Sequence, residues 1–318
     1  MTMYGNQTLS AASVAFGGLT PYLGKVFDVT GARTPYEHAG WQYSLPDTRF
    51  DNELGTWATD YFLALVMLTG VVALDREKAP RAAATSLLRG NRVLALRAMA
   101  LIGLYAISVF SGAVAHQHFT SIEMLNSRAF RALWSVCVGS VACAGGVIGA
   151  IGSALAALAA DAGARGAGAG NALAIARPLR VPAAVWHGYG GGLCAIVLLG
   201  GFSMKRPAAD IFLVGVTQAV PTAYVVLVLA RADAMWPRAL ARAPHFVRDR
   251  SLLGSSLLLN APLIGLYPLL LSLEWTLEQV NVTCHCWLLV AWGLQCVALL
   301  LLCRACRESA SDAAAKKS

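Results

Sequence analysis

The sequence predicts an all-α fold: a polytopic membrane protein built as a seven-transmembrane-helix bundle, with its N-terminus outside and its C-terminus inside. Three observations carry this. Of 318 residues, 57% are hydrophobic and only 13% are charged, and the mean hydropathy of +0.58 lies far above that of a soluble domain. Apolar runs of about 20 residues, the length of helix that crosses a bilayer core of about 30 Å, recur along the chain. The Lys and Arg residues behind the net charge of +8 fall mostly between those runs. Basicity distributed in this way encodes membrane topology and not a nucleic-acid surface, so no nucleic acid is expected as a partner.

Residues 1–55 form an outer N-terminal tail that contains Trp41, Tyr43 and five acidic side chains. Its apolar stretch SAASVAFGGLTPYLG lacks the basic region of a secretory signal. Asn6 opens an Asn-Gln-Thr sequon and is a glycosylation candidate on the outer side. The transmembrane domain runs over 56–303, with spans expected at 56–74, 93–117, 131–160, 181–202, 210–230, 252–273 and 282–303. The third span is rich in small residues, among them Gly139, Gly145, Gly146, Gly149 and Gly152. Small residues let helices approach closely, which places this span in the centre of the bundle. The run DAGARGAGAGNALAIA that follows reads as a flexible inner loop. Pro221, Pro262 and Pro268 are expected to kink spans five and six.

Residues 304–318 form a cytoplasmic tail. Cys303 and Cys306 sit beside Arg304 and Arg307 where the last span ends, which makes them lipidation candidates. The eight cysteines lie mostly inside apolar runs and do not form a disulfide framework.

Orientation follows from the cations. With the N-terminus outside, 18 of the 25 Lys and Arg residues fall on the inner side, as the positive-inside bias requires. That orientation brings ionisable groups from separate spans to one depth. Asp60 lies about one turn into the first span, His116 and His118 close the second, and His285 lies about one turn into the seventh. Positions i and i+2 diverge around a helix, so only one of His116 and His118 can face the bundle. His116 shares a face with Gly112 and Ser108, and His118 shares one with Ser111. His116 is favoured because Gly112 leaves room beside it. Asn281 precedes His285 by one turn and shares its face. Asp210, at the outer start of the fifth span, is an alternative acid.

Several functions are disfavoured. None of the five lysines lies in the last span, so no retinal Schiff base is expected. The third span ends LAALAADAG, without the acid-Arg-aromatic triplet of G-protein-coupled receptors. No internal repeat suggests a two-half transporter.

The segments TDYFLA (59–64), GAVAH (112–116) and NVTCH (281–285) resemble those of the alkaline ceramidase and adiponectin-receptor-like superfamily. They are also similar to those of an uncharacterised group of small seven-helix bacterial membrane proteins. The superfamily resemblance implies an intramembrane hydrolase that holds zinc through His116 and His285, with Asp60 as catalytic proton shuttle and a lipid amide as substrate. The pattern departs at Gly112, where the superfamily has serine, and at Asn281, where it has histidine. Two readings therefore stand: a zinc-dependent lipid amide hydrolase or an inactive relative of one, and a non-enzymatic membrane protein that is receptor-like or binds a partner. In both the chain is integral to a membrane and the lipid bilayer is its partner.

Overall fold

The computed structural model describes residues 51–80, 86–125, 127–163, 180–203, 215, 217–231, 244–263, 266, 269–270 and 273–315. Across them the chain is helical, with no strand among the described residues. The helices are α1 (Leu54–Glu77), α2 (Ser86–His118), the single turn α3 (Ile122–Leu125), α4 (Arg128–Gly163), α5 (Ala183–Ser203), α6 (Ala219–Ala230), α7 (Pro244–Leu258) and α8 (Leu277–Ala315). Four segments are long and apolar enough to cross a membrane: α1, Leu88–His118 of α2, Arg128–Ala159 of α4 and Leu277–Glu308 of α8. Their outward faces carry exposed apolar side chains, including Phe62, Leu65 and Leu68 on α1 and Val290 and Val297 on α8. Such a surface is favourable only against lipid or a partner.

The small-residue helix α4 is central. Of its apolar window 89% is buried, against 33–50% for the other three. It packs against α2, α5 and α6, while α1 and α7 close the bundle through α8. Side-chain size explains the position. A Cβ placed on Gly146 would lie 2.5 Å from the Trp186 carbonyl oxygen and 2.8 Å from the Gly190 Cα. The backbones of α4 and α5 therefore touch, and only glycine permits that approach. One and two turns further along α4, Gly149 and Gly152 make room for the rings of Trp186 and Tyr224, which lie 5.0 Å apart.

Polar pins cross the interior. Tyr105 of α2 stacks on Trp292 of α8 at 4.0 Å and donates to Gln295 Oε1 at 3.2 Å. Gln295 in turn donates to the Ser256 carbonyl of α7. At the bundle end where α1 finishes, Glu77 meets both Arg304 and Arg307 of α8 at 2.9 Å. Nearby, Asn91 donates to the Cys303 carbonyl at 2.6 Å and accepts the Ala79 N–H. Cys303 and Cys306 are buried in this seam. Acylation of either thiol would require the packing of α8 to open.

The prolines behave differently from the expected kinks. Pro221 is the third residue of α6, within the first turn, where a missing N–H costs no helical hydrogen bond. α7 begins at Pro244, earlier than the expected sixth span, and stops at Leu258. Turns at 259–262 follow, consistent with the residue before Pro262 being held out of the helical region. Pro268 lies outside the described residues.

The α4–α5 contact yields a direct test. Gly146→Leu is expected to lower stability by about 1–3 kcal/mol through overpacking. Gly191→Ala, whose Cβ would meet nothing within 4 Å, should leave it unchanged. Thermal unfolding of the purified protein in detergent reads both.

Candidate functional site

Three helices bring polar side chains to one end of the bundle, each through positions one turn apart. On α1, Thr56, Thr59 and Asp60 share a face, on α2 Gly112 and His116, and on α8 Asn281 and His285. Residues 51–53, which lead into α1, supply the rest. Asp51 and Asp60 are 6% and 3% exposed, so both carboxyl groups must be answered from within the protein.

His285 lies between a hydroxyl and a carboxyl. Its Nδ1 is 2.8 Å from Thr59 Oγ1 and its Nε2 is 3.3 Å from Asp60 Oδ1. The Thr59 hydroxyl also lies 2.7 Å from the Gly55 carbonyl and 2.9 Å from the Thr56 carbonyl. A hydroxyl has one proton, and these short oxygen–oxygen contacts need it. Thr59 therefore donates to its own helix backbone, and its oxygen lies within hydrogen-bond distance of His285 Nδ1. The Nε2 of the same ring faces Asp60 Oδ1, so the imidazole bridges the hydroxyl and the carboxyl.

Asp51 organises a second group. Its carboxylate accepts the Thr56 hydroxyl, the Asn281 amide at 2.8 Å and the Glu53 N–H at 3.0 Å. Its backbone carbonyl meets His116 Nδ1 at 2.5 Å. Asn52 donates to the carbonyls of His116 and Phe119, at 2.6 and 3.1 Å. It thereby caps the C-terminal end of α2, whose last carbonyls have no helical partner. Glu278 accepts the Gly55 N–H at 2.9 Å and serves the start of α1 in the same way. Tyr61 ties α1 to α2 through Gln117 at 2.7 Å.

The sequence candidates thus fall into distinct environments. Asp60 and His285 touch, and His116 meets the backbone carbonyl of Asp51. The Asn281 amide turns to Asp51. The ring of His116 meets Trp134 edge-on at 6.2 Å. His118 is exposed. Ser108 lies 3.6 Å from Cys137 Sγ, and Ser111 bonds back to the Ile107 carbonyl of its own helix at 2.8 Å. Gly112 has a spatial role: a Cβ there would lie 3.1 Å from Asp60 Oδ2. Asn6 and Asp210 lie outside the described residues.

These side chains do not fit a zinc centre. Among the described residues, no group of three or more His, Cys, Asp or Glu side chains could hold a metal ion. Both nitrogens of His285 are engaged, and His116 is engaged through Nδ1. Zinc requires three or four free donor atoms converging on one point.

Sequence reasoning missed Asp51, Asn52, Thr56, Thr59 and Glu278. The signal for Thr56 and Thr59 was present, since they share a helical face with Asp60. Asp51 and Asn52 precede the apolar run and carry no periodic signature.

Asp51→Ala and Asn281→Ala are each expected to cost about 2 kcal/mol by leaving a buried partner unsatisfied. Their double-mutant cycle should show a coupling of about 1 kcal/mol. His118→Ala should stay within about 0.5 kcal/mol of the parent. Denaturation midpoints in detergent measure all of these.

Comparison with protein-family models, with curated proteins and with solved structures gave no match.

Proposed function

We propose that this chain is a non-enzymatic, multi-pass membrane protein of the receptor-like or partner-binding kind. Its buried polar layer is a lock that fixes where the N-terminal segment enters the membrane. The observation that carries the reading is the engagement of the candidate catalytic groups by the protein's own side chains and backbone. His285 spends both nitrogens on Thr59 and Asp60. Asp51 spends its carboxylate on α1 and α8 and its carbonyl on α2. A lock of this kind joins three helix ends and sets the register of the chain that precedes them. The proposal includes seven spans with the N-terminus outside, supported by the cation distribution along the sequence.

Gly112 and Asn281, the two departures from the hydrolase pattern, support the same reading. Gly112 makes room for Asp60, and Asn281 satisfies Asp51. Both positions therefore serve packing and hydrogen bonding.

One arrangement favours a second reading, hydrolysis without a metal. Thr59, His285 and Asp60 form a hydroxyl–imidazole–carboxyl sequence, the order of groups that activates a nucleophile in serine hydrolases. Against it, the Thr59 hydroxyl lies within hydrogen-bond distance of two carbonyls of its own helix, which compete for its proton.

Elemental analysis and labelling separate the readings. The purified protein is expected to hold well below one zinc per chain, and His116→Ala and His285→Ala should leave that value unchanged. Stoichiometric zinc lost in both variants would restore the metal-dependent hydrolase. A fluorophosphonate probe should leave Thr59 unmodified, and an adduct absent from Thr59→Val would favour the metal-free hydrolase.

A further inference from the structure

A cleft of about 570 Å³ opens between the N-terminal half of α2, the C-terminal end of α4 and the approach to α5. Arg89, Arg97 and Arg180 line it together with Ser153, and no acidic residue is among its lining side chains. Position along α2 gives its depth. Arg97 lies 19 residues before His116, which is about 28 Å of helix at 1.5 Å per residue. The cleft therefore sits about one hydrocarbon thickness from the polar layer, at the headgroup level of the opposite membrane face. It is separate from the candidate site already described.

Three arginines line one cavity, and like charges gathered there favour an anion between them. Arg97 stands eleven residues into α2. It donates to the Ala150 carbonyl of α4 at 2.5 Å, which uses one of its five N–H donors. Ser153 donates to the Val181 carbonyl at 2.6 Å and so holds the strand of chain carrying Arg180 against α4. The start of α5 adds backbone polarity of the same sign. Val181, Pro182 and Ala183 line the cleft, and Ala183 opens α5, a helix start whose positive dipole end favours an anion. The remaining wall is apolar, formed by Val93, Ala154, Ala157 and Leu158. Positive side chains, a helix N-terminus and an apolar wall meet at one membrane boundary. An anion fits the first two features, and an acyl chain attached to it fits the third.

We propose that this cleft binds a phosphate-bearing anion, the head group of an anionic phospholipid, with its acyl chain along Val93 and Leu158. Arg97 holds the phosphate from within the bundle, and Arg89 and Arg180 close over it from the rim.

Native mass spectrometry of the full-length protein tests this, with dioleoylphosphatidylglycerol, dioleoylphosphatidylcholine and inorganic phosphate as separate probes. The parent protein is expected to retain phosphatidylglycerol about tenfold more tightly than phosphatidylcholine, a difference of about 1.4 kcal/mol. Arg97→Gln should remove that preference, and Arg97→Lys should restore it only in part, because a point charge lacks the planar fork. The Arg89→Gln/Arg180→Gln double variant alters two exposed side chains, so it carries the test should Arg97→Gln fail to fold. Glu123→Gln, at the other end of the bundle, should bind as the parent does. Equal binding of both lipids by the parent and by every arginine variant would overturn the proposal. Binding of inorganic phosphate with no preference between the lipids would overturn the lipid assignment and make the occupant a soluble phosphorylated anion.

Discussion

Inside a hydrocarbon layer, each polar group must find its partner within the protein, because no water is there to supply one. The described structure is organised around that constraint. Asp60 is answered by His285, and Asp51 by Thr56, Asn281 and the Glu53 amide. At the other end of α1, Glu77 is answered by Arg304 and Arg307. Gln295 and Tyr105 answer one another halfway along. α1 and α8 are thus joined by polar contacts at both ends, with apolar packing between. Exchanging water for a buried partner gives such contacts modest net strength. Leaving one partner without the other is what costs most, so these contacts specify register more than they add stability.

Packing sets the frame within which those contacts form. Gly146 and Gly190 bring the backbones of α4 and α5 together, and the central position of α4 follows from that approach. With α4 in the middle, α2 is held against both α4 and α1, which carries His116 to Asp51 and Gly112 to Asp60. A larger residue at Gly112 would push against the Asp60 carboxyl. Steric and polar requirements therefore meet at the same residue.

The histidines and carboxylates at this end are of metal-ligating type but are joined to one another and to backbone carbonyls. A working metal centre keeps donor atoms free and convergent. Here the donors are directed at neighbouring side chains and carbonyls, and the chain leading into α1 takes part through Asp51 and Asn52. The face bearing the arginine cleft has the opposite character, with cations gathered around an open volume. One end of the bundle is closed by its own hydrogen bonds, and the other gathers arginines around a cleft.

The sequence by itself determined the all-helical, membrane-compatible character, since hydropathy and run length are properties of composition and order alone. It also indicated the central helix, because the glycines of α4 are visible without coordinates, and it grouped Asp60 with His285 by counting residues from the ends of apolar runs. It could not name the partners. Whether His285 turns to Asp60 and Thr59, or Asn281 to Asp51, depends on the rotational phase of helices more than two hundred residues apart in the chain. Asp51 lies before the first periodic residue and acts through its backbone carbonyl as much as its side chain, which no pattern of residue types records. Pro221 had the residue type of a kink, but its place in the first turn of α6 removed the cost. The arginine cleft joins Arg89 and Arg97 on α2 with Arg180 before α5. Only the packing of α4 between those segments makes them neighbours.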